Sequence, residues 1–192
     1  MLGKRFCGLL MKIAGWTITP PPPEVQRCVL LAAPHTSNWD YVFAILTMRA
    51  LNVPMKVAIK DVWTRFPMGL LIKPLGGIGI QRNQQHLSSG PISQVQMLAD
   101  VFNRYERIAL IITPEGTRSS RHKWKTGFYH VAQIAKVPIV LAYADYKTKT
   151  CGFGPVMDSS AEKEQVMRAM MKFYADKTAR YPENFNLDNR YI

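Results

Sequence analysis

The sequence predicts an α/β fold: a single-domain sandwich with a central, largely parallel or mixed sheet flanked by helices and preceded by an N-terminal amphipathic helix. The chain has 192 residues, 47% of them hydrophobic, which is enough for one well-filled core and short for two. Strand-like and helix-like apolar patterns alternate along it, as they do in α/β proteins. Two short polar blocks also follow strand-like apolar runs, at the position where such folds place their ligands.

The first predicted element is a helix, because apolar side chains recur at helical spacing at Phe6, Leu9, Leu10, Ile13 and Trp16. Four prolines, residues 20–23, then predict a linker. We therefore divide the chain into a helix and linker over residues 1–23 and a domain over residues 24–192. The apolar stripe suits a helix lying in a membrane interface and equally a helix packed on the protein's own core.

Within the domain, apolar runs bounded by turn residues predict strands over 25–33, 55–60, 78–81, 107–113 and 138–143, with one or two more within 147–157. Helical spacing predicts helices over 38–51, 66–73, 127–136 and 161–177. A further helix begins at Ser89 or Pro91 and carries an apolar stripe of Val95, Leu98, Ala99 and Phe102.

The polar blocks are Pro34–Asp40 and Thr113–Ser119, about eighty residues apart. Each follows a predicted strand. Because the carboxyl ends of parallel strands meet at one edge of a sheet, we expect both blocks to face one pocket.

The first block contains a histidine and an aspartate at a spacing that a regular helix would turn to different sides, since five positions rotate by about 500°. They meet only if His35 lies in the loop before the helix and Asp40 lies in its first turn. Asp40 then accepts from Nδ1 of His35 and leaves Nε2 as a general base. Alternatively, Thr36 or Ser37 caps the helix, Asp40 favours its positive end, and His35 has no role.

The second block combines Glu115, Gly116, Thr117 and Arg118, which offer an acceptor, a close backbone approach, a hydroxyl and a guanidinium. That set suits a phosphate, which arginine holds in bidentate fashion. The alternative is a tight turn with a surface ion pair. Arg82 follows a glycine-rich run and is either a second phosphate ligand or a solvated charge.

Together these motifs resemble the phospholipid acyltransferase family, which includes 1-acylglycerol-3-phosphate and glycerol-3-phosphate acyltransferases. His35 and Asp40 match its His-x-x-x-x-Asp motif, and residues 77–82 resemble its glycine-rich motif ending in arginine. Residues 114–118 match its Pro-Glu-Gly-Thr-Arg motif in full, and residues 137–140 match its Val-Pro-Ile-Val motif. The chain departs from many members at two positions, Pro34 and Gly79.

The resemblance implies acyl transfer from acyl-CoA or acyl carrier protein to the hydroxyl of a lysophospholipid or glycerol-phosphate-like acceptor. His35 and Asp40 would be catalytic, acting by general-base chemistry without an acyl-enzyme. Arg82, Glu115, Gly116, Thr117 and Arg118 would bind the acceptor's phosphate. No metal-binding motif is present, so no metal and no resident cofactor are expected.

Charge and cysteine usage bear on partners and location. The net charge is +12, and residues 1–136 carry 17 Lys and Arg against 6 Asp and Glu, whereas residues 137–192 carry 8 against 7. We expect an anionic membrane surface as a partner and no nucleic acid. The rival interpretation is a basic, non-catalytic module for anionic membrane or nucleic acid, supported by the run 118–125 with Trp124 as a stacking residue.

Three widely spaced cysteines and an apolar N-terminal stretch shorter than the roughly 20 residues of a membrane span predict a cytoplasmic protein. We expect it to be peripheral on the cytoplasmic membrane face.

Overall fold

A mixed sheet organises the computed structural model, which describes residues 3–80 and 94–192. Within those residues the sheet has seven strands, in the order β1-β7-β6-β2-β5-β3-β4. Neighbouring strands are parallel except β6 and β7, which are antiparallel. The strands are β1 (Thr17–Ile18), β2 (Arg27–Ala32), β3 (Met55–Lys60), β4 (Gly77–Ile80), β5 (Ile108–Ile112), β6 (Ile139–Asp145) and β7 (Thr150–Met157).

Helices cover both faces of this sheet. They are α1 (Lys4–Ile13), α2 (Asn38–Ala50), α3 (Gly69–Ile72), α4 (Gln94–Asp100), α5 (Gly127–Ala135) and α6 (Lys163–Tyr174). Short 3-10 turns lie at Pro23–Gln26, Asp61–Thr64, Val101–Arg104, Pro182–Asn184 and Asn189–Tyr191.

The predicted fold class is confirmed, and the differences are local. The helix predicted over 66–73 is shorter, because the residue before Pro67 is disfavoured in helical conformation. The two-residue strand β1 was not predicted, since it is too short to show a period. The predicted helix start at residues 89–91 and the strand end at Gln81 lie outside the described residues.

Two hydrophobic layers pack against the central strands. In β2, Val29 and Leu31 point into the layer formed with α4, α5 and α6, while Cys28 and Leu30 point into the layer formed with α2. All four side chains are fully buried. A strand that is buried on both faces has a continuous run of apolar residues. This explains why the strand that precedes the first polar block could be predicted from the sequence.

The N-terminal helix packs against the domain. Cys7 and Met11 of α1 are fully buried, and the ring of Trp16 lies 4.3 Å from that of Phe43 on α2. Strand β1 then pairs with β7 at the edge of the sheet. Phe6, Leu9 and Ile13 remain exposed, so the predicted stripe divides between the core and the surface. The division of the chain at residue 23 stays a prediction.

No helix within residues 3–80 and 94–192 combines the length and the apolar character needed to cross a bilayer.

Candidate active site

The two polar blocks leave the same edge of the sheet from neighbouring strands. Strands β2 and β5 are parallel, with Leu31 opposite Ile112. His35 follows the end of β2, and Glu115 follows the end of β5. The prediction that the blocks face one site is therefore confirmed by strand register.

Helix α2 begins with a capping box that positions Asp40. The side chain of Ser37 accepts a hydrogen bond from the Trp39 amide at 3.2 Å. Oδ2 of Asp40 accepts from the amides of Thr36 and Ser37, both at 2.8 Å. Asp40 therefore lies in the first turn and reaches back to the loop that carries His35.

His35 and Asp40 meet as the dyad interpretation requires. Nδ1 of His35 lies 3.4 Å from Oδ2 of Asp40. Burial by itself would raise the pKa of Asp40, but donors from His35, Tyr146, Ser37 and Thr36 hold that pKa below its usual value. Asp40 is thus an anion that both caps the helix and faces the imidazole, so the helix cap and the pairing with His35 coexist. With Nδ1 turned toward Asp40, Nε2 lies on the opposite side of the ring.

Tyr146 supplies a further contact to the dyad that the sequence did not reveal. Its hydroxyl donates to Oδ1 of Asp40 at 2.6 Å, across 106 positions of sequence. Burial and the adjacent Asp40 carboxylate raise the pKa of Tyr146, so the hydroxyl stays protonated. The guanidinium of Arg180 lies 5.8 Å from its ring and 5.6 Å from that of Trp39. No motif joins these positions, so only the fold identifies them.

Glu115 contacts the histidine loop. Its Oε1 accepts from the backbone amide of His35 at 3.1 Å. Its Oε2 is buried and has no hydrogen-bond partner among the described residues. Burial raises the pKa of Glu115 to about 7. Among the predicted phosphate ligands, Glu115 therefore contacts the backbone of the loop that carries His35.

The rest of the second block presents cations near the start of α2. Arg118 donates to the side-chain oxygen of Asn38, the first residue of that helix. Gly116 has a φ of +70°, and a Cβ there would lie 2.7 Å from Cε of Lys125. The turn thus brings Lys125, which the motifs did not single out, against the loop. Oγ1 of Thr117 accepts from the Ser119 amide at 3.3 Å, and Arg82 lies outside the described residues.

The basic run 118–125 does not offer the expected stacking residue. Trp124 is 3% exposed, its ring lies 5.7 Å from that of Tyr174, and its indole nitrogen donates to the Asn186 carbonyl at 2.9 Å. The stacking role considered for Trp124 is therefore wrong, because the side chain belongs to the core.

A cavity of about 850 Å³ opens at the dyad. Its volume falls in the range of ligand pockets, roughly 300–1,000 Å³. The lining is mostly apolar and includes His35, Tyr41, Met48, Val57, Trp63 and Leu75. His35 and Asp40 both line this mostly apolar space.

Comparison with known proteins identifies the family. The family model described as Acyltransferase matches residues 19–143, and the chain belongs to that family. The family resemblance drawn from the motifs is thereby confirmed. The matched region includes His35, Asp40 and Glu115 but ends before Tyr146.

The fold is also that of a solved enzyme. The crystal structure of the 1-acyl-sn-glycerophosphate (LPA) acyltransferase PlsC from Thermotoga maritima superimposes with a TM-score of 0.55 at 15% sequence identity. The match covers 92% of this chain and 80% of that chain. No curated protein sequence matches the chain.

Proposed function

We propose that this acyltransferase moves a fatty acyl group from a thioester, acyl-CoA or acyl carrier protein, to the hydroxyl of a lysophospholipid or glycerol-phosphate-like acceptor. The observation that carries the proposal is the His35–Asp40 pair at the mouth of the apolar cavity. The family membership supports the acyl transfer, and the cavity supports an aliphatic substrate.

The geometry of the dyad supports a general-base reaction. Nε2 of His35 removes the proton from the acceptor hydroxyl while that oxygen attacks the thioester carbonyl. The tetrahedral intermediate then expels the thiolate, which takes the proton back from His35. Asp40 holds the imidazole orientation and stabilises its transient positive charge, as the aspartate does in serine-protease triads. No acyl-enzyme, metal or resident cofactor takes part.

The acceptor's phosphate is assigned to the cations beside the helix start. Arg118 and Lys125 lie next to the Gly116–Thr117 turn, and we include Arg82 on the basis of its motif. The N-terminus of α2 adds a partial positive charge on the same side. Glu115 contributes by holding the His35 amide.

We further propose that the protein works as a peripheral protein at an anionic surface on the cytoplasmic membrane face, since the acceptor is a lipid and the net charge is +12. The exposed side chains of Phe6, Leu9 and Ile13 on α1 suit that location. Deleting α1 would not test this, because Cys7 and Met11 belong to the core.

The test is a substrate panel. Purified protein is incubated with acyl-CoA or acyl carrier protein and a series of lysophospholipids, glycerol 3-phosphate and phosphate-free lysolipids, and the products are identified by mass spectrometry. We expect acyl transfer that depends on His35 and favours phosphorylated acceptors. Transfer that continues unchanged in His35→Ala would overturn the mechanism, and no transfer to any acceptor would overturn the function.

A further inference from the structure

Exposed apolar side chains concentrate on one side of the molecule. Of the fifteen large hydrophobic side chains that are exposed within residues 3–80 and 94–192, eleven belong to α1, α2 and the connection between β3 and β4. Scattered exposed hydrophobic residues are normal, but a concentration of this kind marks an interaction surface.

Six of these eleven lie in one short stretch, which we call the 62–71 segment. They are Val62, Trp63, Phe66, Met68, Leu70 and Leu71, and Phe66 is 85% exposed. The segment includes most of the 3-10 turn Asp61–Thr64 and most of helix α3, and all six of these side chains are exposed.

The segment is held in this outward position by close packing on the sheet. A Cβ at Gly79 would lie 2.6 Å from Oγ1 of Thr64 within the segment, and a Cβ at Gly77 would lie 2.3 Å from Cγ2 of Ile72, the residue that follows the segment. The glycines of β4 therefore let the segment lie against the strand. Within the segment, a Cβ at Gly69 would lie 2.1 Å from the Thr64 carbonyl oxygen. The exposure of Phe66, Leu70 and Leu71 is thus built into the fold.

The same side packs onto α2. Tyr41 of α2 donates to the Leu75 carbonyl at 3.2 Å, and Arg49 donates to the Pro74 carbonyl at 2.5 Å. Helix α1 also packs on α2, so α1, α2 and the residues that follow α3 lie on the same face of the sheet. The opposite face is covered by α4, α5 and α6.

The charge on this side is positive. Residues 4–13, 38–50 and 61–73 contain six Lys and Arg and two Asp. Asp40 is buried in the dyad, and Asp61 is paired with Arg65 at 2.7 Å. Apolar side chains bordered by exposed cations such as Lys12 and Lys73 complement an anionic lipid surface rather than an apolar protein partner.

The segment also borders the cavity. Trp63 and Ile72 line it together with Tyr41 and Met48 of α2. A bilayer against the 62–71 segment would therefore meet the wall of the space in which the aliphatic chain is held.

We propose that the 62–71 segment docks the protein on an anionic bilayer by inserting Phe66, Leu70 and Leu71 among the lipids, so that the cavity opens at the membrane surface. The purpose of this docking rests on the proposed function. The docking itself is independent of catalysis and is measured without acyl transfer.

The first experiment measures flotation of the full chain with vesicles of phosphatidylcholine containing about one-third phosphatidylglycerol. The variant Phe66→Ser/Leu70→Ser/Leu71→Ser changes only exposed side chains that do not line the cavity. We expect its partition coefficient to fall at least about tenfold, since each side chain loses its transfer from water. The matched control Ile134→Ser/Val156→Ser alters two exposed apolar residues that lie outside α1, α2 and the 62–71 segment. It should float like the wild type.

Two further measurements separate the alternatives. Brominated lipids should quench tryptophan fluorescence more in the wild type than in Trp63→Phe, and the difference reports insertion of the segment because Trp39 is exposed in both proteins. Sedimentation velocity reports whether the segment instead joins two copies of the chain.

Insertion of the segment is overturned if the segment variant floats like the wild type, or if Phe6→Ser/Leu9→Ser/Ile13→Ser alone removes flotation. It is also overturned if the wild type dimerises through the segment and does not bind vesicles. Turnover of a short-chain thioester with a water-soluble acceptor should be equal in wild type and segment variant. A protein that floats but transfers no acyl group would disprove the proposed function and leave the docking intact.

Discussion

Glu115→Gln isolates the energetic effect of placing a carboxyl group beneath the catalytic loop. The amide retains an oxygen that can accept from the His35 amide, but it does not ionise. Its NH₂ group would occupy the position of Oε2, which has no partner among the described residues. That unpaired donor destabilises the variant by about 1–3 kcal/mol at every pH.

Ionisation of the wild-type Glu115 carboxyl makes the free energy of unfolding depend on pH, and this effect favours the variant as the pH rises. Burial raises the pKa of Glu115 from 4.5 to about 7. Between these values the folded state binds more protons than the unfolded state, so the free energy of unfolding of the wild type decreases as the pH rises. At about 1.4 kcal/mol per pH unit the decrease amounts to about 3 kcal/mol, and it is absent from the variant. Relative to the wild type, Glu115→Gln should therefore gain about 3 kcal/mol between pH 4.5 and pH 8.

Urea unfolding of both proteins at the two pH values measures this gain. Groups that do not interact with Glu115 titrate alike in both proteins and cancel in the difference, and the pH-independent effect of the amide cancels between pH values. Glu183→Gln, at an exposed position, is the matched control and should show no such gain. If the difference between Glu115→Gln and the wild type is the same at both pH values, the carboxyl does not have a raised pKa and the argument fails.

Three further variants test the site by kinetics. His35→Ala should reduce transfer to a soluble acceptor by about 10²- to 10⁴-fold, and retention of half the turnover would remove His35 from the mechanism. Tyr146→Phe should lower kcat about tenfold with little change in KM. The variant loses the hydrogen bond to Asp40, which raises the pKa of Asp40, so its activity should begin to fall at a higher pH than that of the wild type on the acid side. An unchanged pH profile would make Tyr146 a packing residue only. Arg118→Ala should raise the acceptor's KM, Arg118→Lys should restore it in part, and Arg121→Ala should leave it unchanged; an equal effect on phosphate-free acceptors would refute the phosphate assignment.

The elements that lead into the site could be predicted because their sequence signals are local. Strands β2, β5 and β6 are buried on both faces, so they appear as unbroken apolar runs. The polar block after β2 places a helix cap beside His35, and the parallel register of β2 and β5 follows from the alternation of strands and helices. The sequence also supplied the motifs that identified the family.

Other features required the tertiary structure because they depend on contacts between distant residues. Nothing near Tyr146 in sequence indicates that its hydroxyl meets Asp40. The contact between the Glu115 carboxylate and the His35 amide joins residues 80 positions apart. The ring of Trp124 is buried against Tyr174 and Phe185, although Trp124 lies within the basic run 118–125.

For this protein, the sequence by itself determined the order of strands and helices, the family, and the residues offered for chemistry. Only the tertiary structure decided which apolar side chains are buried. Phe6 and Met11 occupy one short helix, and the packing of α2 buries the second and leaves the first exposed. Leu70 and Leu71 lie in a helix that the sequence predicts, but only the structure shows that both side chains are exposed. Transfer of an apolar side chain out of water is favourable wherever it ends. The packing of neighbouring residues determines whether that side chain is buried in the protein or stays exposed and available to a membrane.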